Sequence, residues 1–334
     1  MKRLAGVAVV LGVLGLVTAF ALWRIPSGDY LIIPDVAKPL ESRVEVEGGH
    51  AGSKGDVYYV DVYFRHVRLL ERVLPFLRPE GATLVPAEAL APAGTTDEER
   101  RQQSVAEMDR SEQIASVVAL RALGYDAVAT PRGVLVTSIA SDAPAAKVLD
   151  PDDVIVAVDR VPVRTPTELR RRIARHRPGD HVRLTVRRND KPIDVTVRLI
   201  PNPTDAKRAI IGILVDQDAK IRLPIDVGID LGSVGGPSAG LPFALEIARQ
   251  LGRNVTHGCR VAATGELALD GTVLPIGGIE QKTIGARRAH VDYFLVPAGT
   301  NAQGARENAH GLPIIPVESF QQALRRLTTR PLKC

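Results

Sequence analysis

Four glycines fall within nine residues at Gly232-Ser233-Val234-Gly235-Gly236-Pro237-Ser238-Ala239-Gly240, between two segments of opposite character. Residues 225–230 before them alternate like a strand, and residues 241–251 directly after them read as an apolar helix. A glycine-rich turn thus joins a strand directly to a helix. Ser238 then stands beside free backbone N–H groups at the positive end of a helix. Such a place suits a nucleophile whose attack creates an oxyanion.

Read as a bare pattern, Gly236 to Gly240 satisfies the G-x-S-x-G nucleophile elbow, which would call for an acid and then a histidine downstream. His257, His290 and His310 are available. Against that reading, the domain behind Ser238 is short, no HGGG-type loop precedes it, and Pro237 is awkward in a strained elbow. A second base is on offer. Residues 264–282, TGELALDGTVLPIGGIEQK, read as strand, hairpin turn at Asp270-Gly271, strand, glycine pair and helix, which places Lys282 in the first turns of that helix. Burial penalises an ammonium ion and a helix N-terminus adds positive potential, so both lower the pKa of a lysine held there. A neutral amine could take the proton of Ser238 and return it to a leaving amine. By spacing alone, the commoner fate of such a lysine is a solvated surface.

Residues 4–23 hold twenty positions without a charge, and at 1.5 Å per residue a helix over them would be about 30 Å long. Lys2 and Arg3 precede it. The expectation is therefore a single-pass transmembrane helix with a cytoplasmic stub and the bulk of the chain extracytoplasmic, with a cleaved signal peptide ending near Ala19-Phe20-Ala21 as the rival. The net charge of +5 comes from thirty-four arginines against nine lysines, and aromatic residues are only 4%. Nucleic acid is therefore not expected as a partner. The two cysteines, Cys259 and Cys334, exclude a multi-cysteine metal site. They could pair under oxidising conditions, but the expectation is a buried Cys259 and a frayed Cys334.

Between residues 26 and 90 the chain is strand-like, with a short helical stretch at 69–77. Residues 91–96 read as loop, and Thr96 opens a polar helix with Asp97, Glu98 and Glu99 in its first turn. Residues 133–139, GVLVTSI, are followed by DAPAAK, by DVIVAVDRVPV at 153–163 and by the helix TPTELRRRIARH at 165–176. This ordered set resembles a PDZ domain of the kind found in bacterial periplasmic proteases. It departs from that pattern at Pro151-Asp152-Asp153, where the family usually has proline-glycine-aspartate. The resemblance implies that an extended peptide adds as a strand, with Gly133, Val134 and Leu135 supplying backbone groups and apolar lining.

GPSAG around Ser238, TGE at 264–266 and GTVLPIGGIEQK ending at Lys282 resemble the proteolytic domain of the Lon family of serine–lysine proteases. The resemblance implies that Ser238 is the nucleophile and Lys282 the general base. It also makes Thr264 a residue that orients the lysine, and sets Gly236 and the Ser238 amide near the oxyanion. The large Lon members carry an ATPase module, but no Gly-Lys pair occurs in this sequence, so it contains no P-loop and no nucleotide is expected. The fold class expected is α+β: a transmembrane anchor (1–24), a strand and helix region packing on the proteolytic domain (25–123), a PDZ domain (124–202) and a Lon-type domain (203–330). Because few residues separate the PDZ pattern from Ser238, residues 40–120 are expected to supply missing strands to 205–330. The expected function is a membrane-anchored, ATP-independent serine endopeptidase needing no cofactor or metal. Its expected partners are protein or peptide substrates, the membrane and, as one option, copies of itself in a homo-oligomer. A non-catalytic peptide-binding protein of the same fold and an esterase-type Ser–His–acid hydrolase are the alternatives.

Overall fold

The computed structural model describes residues 2–50, 55–87, 96–202, 205–232, 234–329 and 331–334; the loop expected at 91–95 lies outside them. Helix α1 (Lys2–Arg24) leads into β1 (Pro26–Pro34), β2 (Lys38–Pro39), β3 (Val44–Val46), β4 (Asp56–Tyr59) and β5 (Val62–Arg68). Then come α2 (Leu69–Val73), β6 (Thr83–Val85) and the long helix α3 (Asp97–Ala122). The middle of the chain holds β7 (Val128–Ile139), β8 (Val154–Val158), β9 (Val161–Pro162), α4 (Pro166–Ile173), β10 (His181–Arg188), β11 (Lys191–Arg198), β12 (Ile200–Asn202), β13 (Asp205–Ile210) and β14 (Ile213–Arg222). The last part has β15 (Val227–Ile229), α5 (Gly240–Gln250), β16 (Arg260–Ala263), β17 (Glu266–Leu267), β18 (Val273–Leu274), α6 (Ile279–Arg288), β19 (Tyr293–Pro297), α7 (Thr300–Glu307), β20 (Ile314–Val317) and α8 (Phe320–Thr329).

The central sheet of the C-terminal part runs β2-β4-β16-β19-β20, with β4, β16, β19 and β20 mutually parallel. Its strands are apolar on both faces, as parallel strands covered by helices must be. Val57, Val261, Ala263 and Leu295 face a core shared with α3, α5 and α8. Ala262, Phe294 and Val296 face the opposite core with Ala286 of α6 and Ala302 and Ala305 of α7. Early strands thus belong to this late sheet: β4 hydrogen-bonds β16, and β3 pairs β15 (Val46 opposite Val227). A further sheet, β5-β1-β6, covers α6, where the Gln281 side-chain amide donates to the Gly81 carbonyl and to the Thr83 hydroxyl.

The middle residues form their own core around Val134, Ile155, Leu169, Ile173 and Leu184. Thr165 caps α4 by accepting the Glu168 amide, with proline at the first helical position. Asn189 and Asp190 make the β10–β11 hairpin turn with φ of 48° and 61°. Asp152, standing where the family pattern has glycine, adopts φ 70°, so the turn survives the exchange. The sheet does not close at residue 202. Its order is β11-β10-β8-β7-β14, and β14 pairs antiparallel with β7 from Arg222 opposite Val128 to Ile213 opposite Ile139.

Two expectations are corrected here. Among the described residues no helix is long and apolar enough to cross a membrane. The C-terminal end of α1 is docked on protein, with Trp23 stacked under the Arg68 guanidinium at 4.1 Å. The transmembrane element of the expected fold class, and the single-pass placement drawn from it, are thereby overturned. The cysteines also differ from expectation: Cys259 and Cys334 form a disulfide. The Tyr293 hydroxyl donates to the Lys333 carbonyl and accepts the Lys333 amide, which pins the C-terminal tail beside β16.

Candidate active site

Ser238 sits in a single 3-10 turn (Pro237–Ala239) that runs straight into α5. Gly236 turns the chain into that element with φ 92°, a conformation a side chain would resist. The Ser238 carbonyl is gripped twice, by the Gly265 amide at 2.8 Å and the Thr264 hydroxyl at 3.2 Å. The Leu241 amide returns a bond to the Gly265 carbonyl, so the TGE segment and the serine turn are locked together. On the other side α6 begins after Gly278, which has φ 68°, and the Asn301 side chain bonds both the amide and the carbonyl of Ile276 in the preceding loop.

This frame brings Lys282 onto Ser238. Its Nζ is 2.5 Å from Ser238 Oγ and 3.3 Å from Thr264 Oγ1. Lys282 is only 3% exposed, and burial lowers its pKa from 10.5 to about 8, against the opposing charge of Asp61. Asp61, in the bend after β4, is itself pushed up by burial and by its contact with Asp35, while Lys38 reaches it at 3.3 Å. One oxygen of Asp61 is buried with no hydrogen-bond partner. An amine that is about half neutral near pH 8, in contact with a hydroxyl at a helix start, can accept a proton from that hydroxyl in its neutral form.

The sequence-derived residues fare unequally. Ser238, Lys282 and Thr264 converge. Gly236 lies in the same loop, but its amide donates to the Ser104 carbonyl at 2.8 Å, so it is not free for an oxyanion. The Ser238 amide lies in the first turn, where helix N–H groups lack an internal partner. Gly133, Val134 and Leu135 are corrected: β7 is hydrogen-bonded on both sides there, with Val134 opposite Ile155 of β8 and opposite Gln217 of β14. No edge is left at those residues for an added strand. The histidines of the esterase reading are engaged elsewhere. His257 bonds the Leu327 carbonyl, and His290 and His310 line a cavity at the far end of α6 with Arg287 and Arg288. Among the described residues one cluster has metal-ligating side chains, Cys259, Asp292 and Cys334, and its two sulfurs are consumed by the disulfide. Sequence reasoning missed Ser111, whose hydroxyl donates to the Pro237 carbonyl at 3.0 Å, and Asp61; neither lies in a motif.

Residues 119–199 match the PDZ domain, and residues 212–329 match the Lon protease (S16) C-terminal proteolytic domain. Lon protease 1 of Sorangium cellulosum (strain So ce56) is 42% identical over 91 residues, covering 26% of this chain and 11% of that protein. Lon protease 2 of Bacillus subtilis (strain 168) is 33% identical over 116 residues, covering 35% of this chain and 20% of that protein. The chain thus spans between a tenth and a fifth of the length of these curated relatives. Among solved structures, the PDZ domain of an SdrC-like protein from Listeria monocytogenes is 29% identical. That likeness covers 26% of this chain and 90% of that one, with a TM-score of 0.24. The chain therefore carries a PDZ domain and the proteolytic domain of a serine-type, Lon-like peptidase.

Proposed function

We propose that this chain is an endopeptidase that acts without nucleotide on unstructured polypeptide, with Ser238 as nucleophile and Lys282 as general base. One observation carries the reading: a buried lysine amine, its pKa lowered to about 8, within 2.5 Å of a serine hydroxyl at a helix start. Neutral Lys282 takes the Ser238 proton as Oγ bonds the substrate carbonyl carbon. The resulting ammonium gives that proton to the leaving nitrogen as the C–N bond breaks, and Lys282 then deprotonates the water that frees the acyl group. The Ser238 amide receives the oxyanion, and Thr264 holds the amine in line. That no Gly-Lys pair occurs in the sequence supports the nucleotide-free reading. The PDZ domain docks an extended peptide; β14, an end strand of its sheet that also contacts α4, is the edge that receives it.

Incubation of the chain with an unfolded protein, followed by fragment mass spectrometry, tests this. Fragments are expected from the wild type and none from Ser238→Ala or Lys282→Met. Equal fragments from all three would refute the dyad.

A further inference from the structure

Helix α3 lies outside the residues that match the proteolytic domain, yet it holds the loop that carries Ser238. The Ser104 carbonyl receives the Gly236 amide, and the Ser111 hydroxyl donates to the Pro237 carbonyl. These two positions are seven residues apart, two helical turns, so they face the same side of α3. Within the same two turns α3 also holds the PDZ sheet. The Gln103 side-chain amide donates to the Thr137 carbonyl of β7 at 2.5 Å, and Arg110 Nε pairs with Asp216 of β14 at 2.5 Å.

Arg110 stands among carboxylates from three elements. Glu107 is one turn earlier on α3, Asp216 is on β14, and the charges of both bear on Glu266 of β17, two residues beyond Thr264. Burial holds the Glu107 and Glu266 carboxyls up, with Asp216 adding to each; Arg110 opposes this at Glu107, and Arg170 of α4 opposes it at Glu266. Take Arg110 away and Asp216 faces like charges on α3 and β17 without its cation. Helix and sheet then separate where α3 also grips the serine loop.

We propose that α3 positions the catalytic loop, and that Arg110, by pairing with Asp216, is a positioning residue that makes turnover depend on the docking of the PDZ sheet. This rests on the reading of Ser238 as nucleophile. Gln103 and Arg110 face the PDZ strands, Ser104 and Ser111 face Gly236 and Pro237, and a shift of β14 is delivered to both faces of one rigid helix.

The test uses the full chain and a short peptide that the wild type cleaves. Arg110→Asp and Asp216→Arg should each lower kcat by about tenfold, the coupling expected of a contacting charge pair, with KM little changed. The double exchange should recover most of the loss. Amide hydrogen exchange of residues 234–240, which needs no activity, should quicken in each single variant and recover in the double one. Arg110→Lys and Ser111→Ala serve where charge reversal prevents folding, and both should show reduced kcat in folded protein. Wild-type kcat and exchange in folded single variants, or a double variant no better than the singles, overturns the proposal. Turnover retained by Ser238→Ala would instead sink the nucleophile reading, leaving hydrogen exchange to judge α3 by itself.

Discussion

Replacing Lys282 with methionine should abolish turnover and, at neutral pH, make the protein more stable. An amine whose pKa falls from 10.5 to about 8 on folding is disfavoured as an ammonium by about 3 kcal/mol. Between those two values the unfolded chain holds the extra proton, so wild-type stability rises with pH across that window and the full penalty is present below about pH 8. At pH 7 the cost is about 3 kcal/mol and at pH 10 about 1 kcal/mol by the same relation. Methionine fills the space with no charge to bury, but it forgoes the bonds to Ser238 and Thr264, at about 1 kcal/mol each. The net gain at pH 7 is therefore about 1 kcal/mol. Its pH dependence is sharper, because the hydrogen-bond losses and the titrating groups not coupled to Lys282 cancel between the two proteins: the stability difference should shrink by about 2 kcal/mol from pH 7 to pH 10. Urea denaturation of wild type and variant at both pH values measures this. A difference independent of pH would refute the claim that this lysine is buried and driven toward neutrality.

Four further outcomes rest on the same geometry. The rate on a short peptide should rise about tenfold between pH 7 and pH 9 as Lys282 sheds its proton. Asp61→Asn, which removes the charge that holds the amine protonated, should move that rise to lower pH, and an unmoved or alkaline-shifted profile would contradict it. Thr264→Val keeps the shape but removes the hydroxyl shared by Lys282 and the Ser238 carbonyl. It should cut kcat by about tenfold with little change in KM, read by steady-state kinetics. Gly285→Ala would drive a methyl into the Asp35 carbonyl where the strap between β1 and β2 crosses α6, one turn past Lys282. A loss of about 1–3 kcal/mol is expected by thermal melting, and an unchanged midpoint would refute the close approach.

What the sequence disclosed was what local chemistry dictates. Ser238, Thr264 and Lys282 stand in motifs whose glycines and helix starts have to be where they are for the backbone to turn. Thr165, Glu168, Asn189 and Asp190 announced a cap and a hairpin for equally local reasons. The participation of early strands in the late sheet was also readable, because too few residues separate the PDZ pattern from Ser238 to build that sheet. Other features were hidden by distance. The residues of β14, ILVDQDAKIR, carry charges that look like a solvated loop, and only their pairing with β7 some eighty residues earlier makes them the edge of the PDZ sheet and closes off Gly133 to Leu135. Ser104 acts through its carbonyl, which has no side-chain signature. Cys334 meets Cys259 because Tyr293 holds the tail, a contact 40 positions away in sequence. The uncharged run at 4–23 misled by composition alone, since hydropathy does not reveal that Trp23 would be docked against Arg68.

The most direct measurement is covalent capture. A peptide aldehyde or boronate that mimics the tetrahedral adduct should label the wild type at Ser238, with an extent that increases with pH through about 8 and vanishes in Ser238→Ala and Lys282→Met. Labelling that persists in folded Lys282→Met, or that is found on another residue, would contradict the account at its centre.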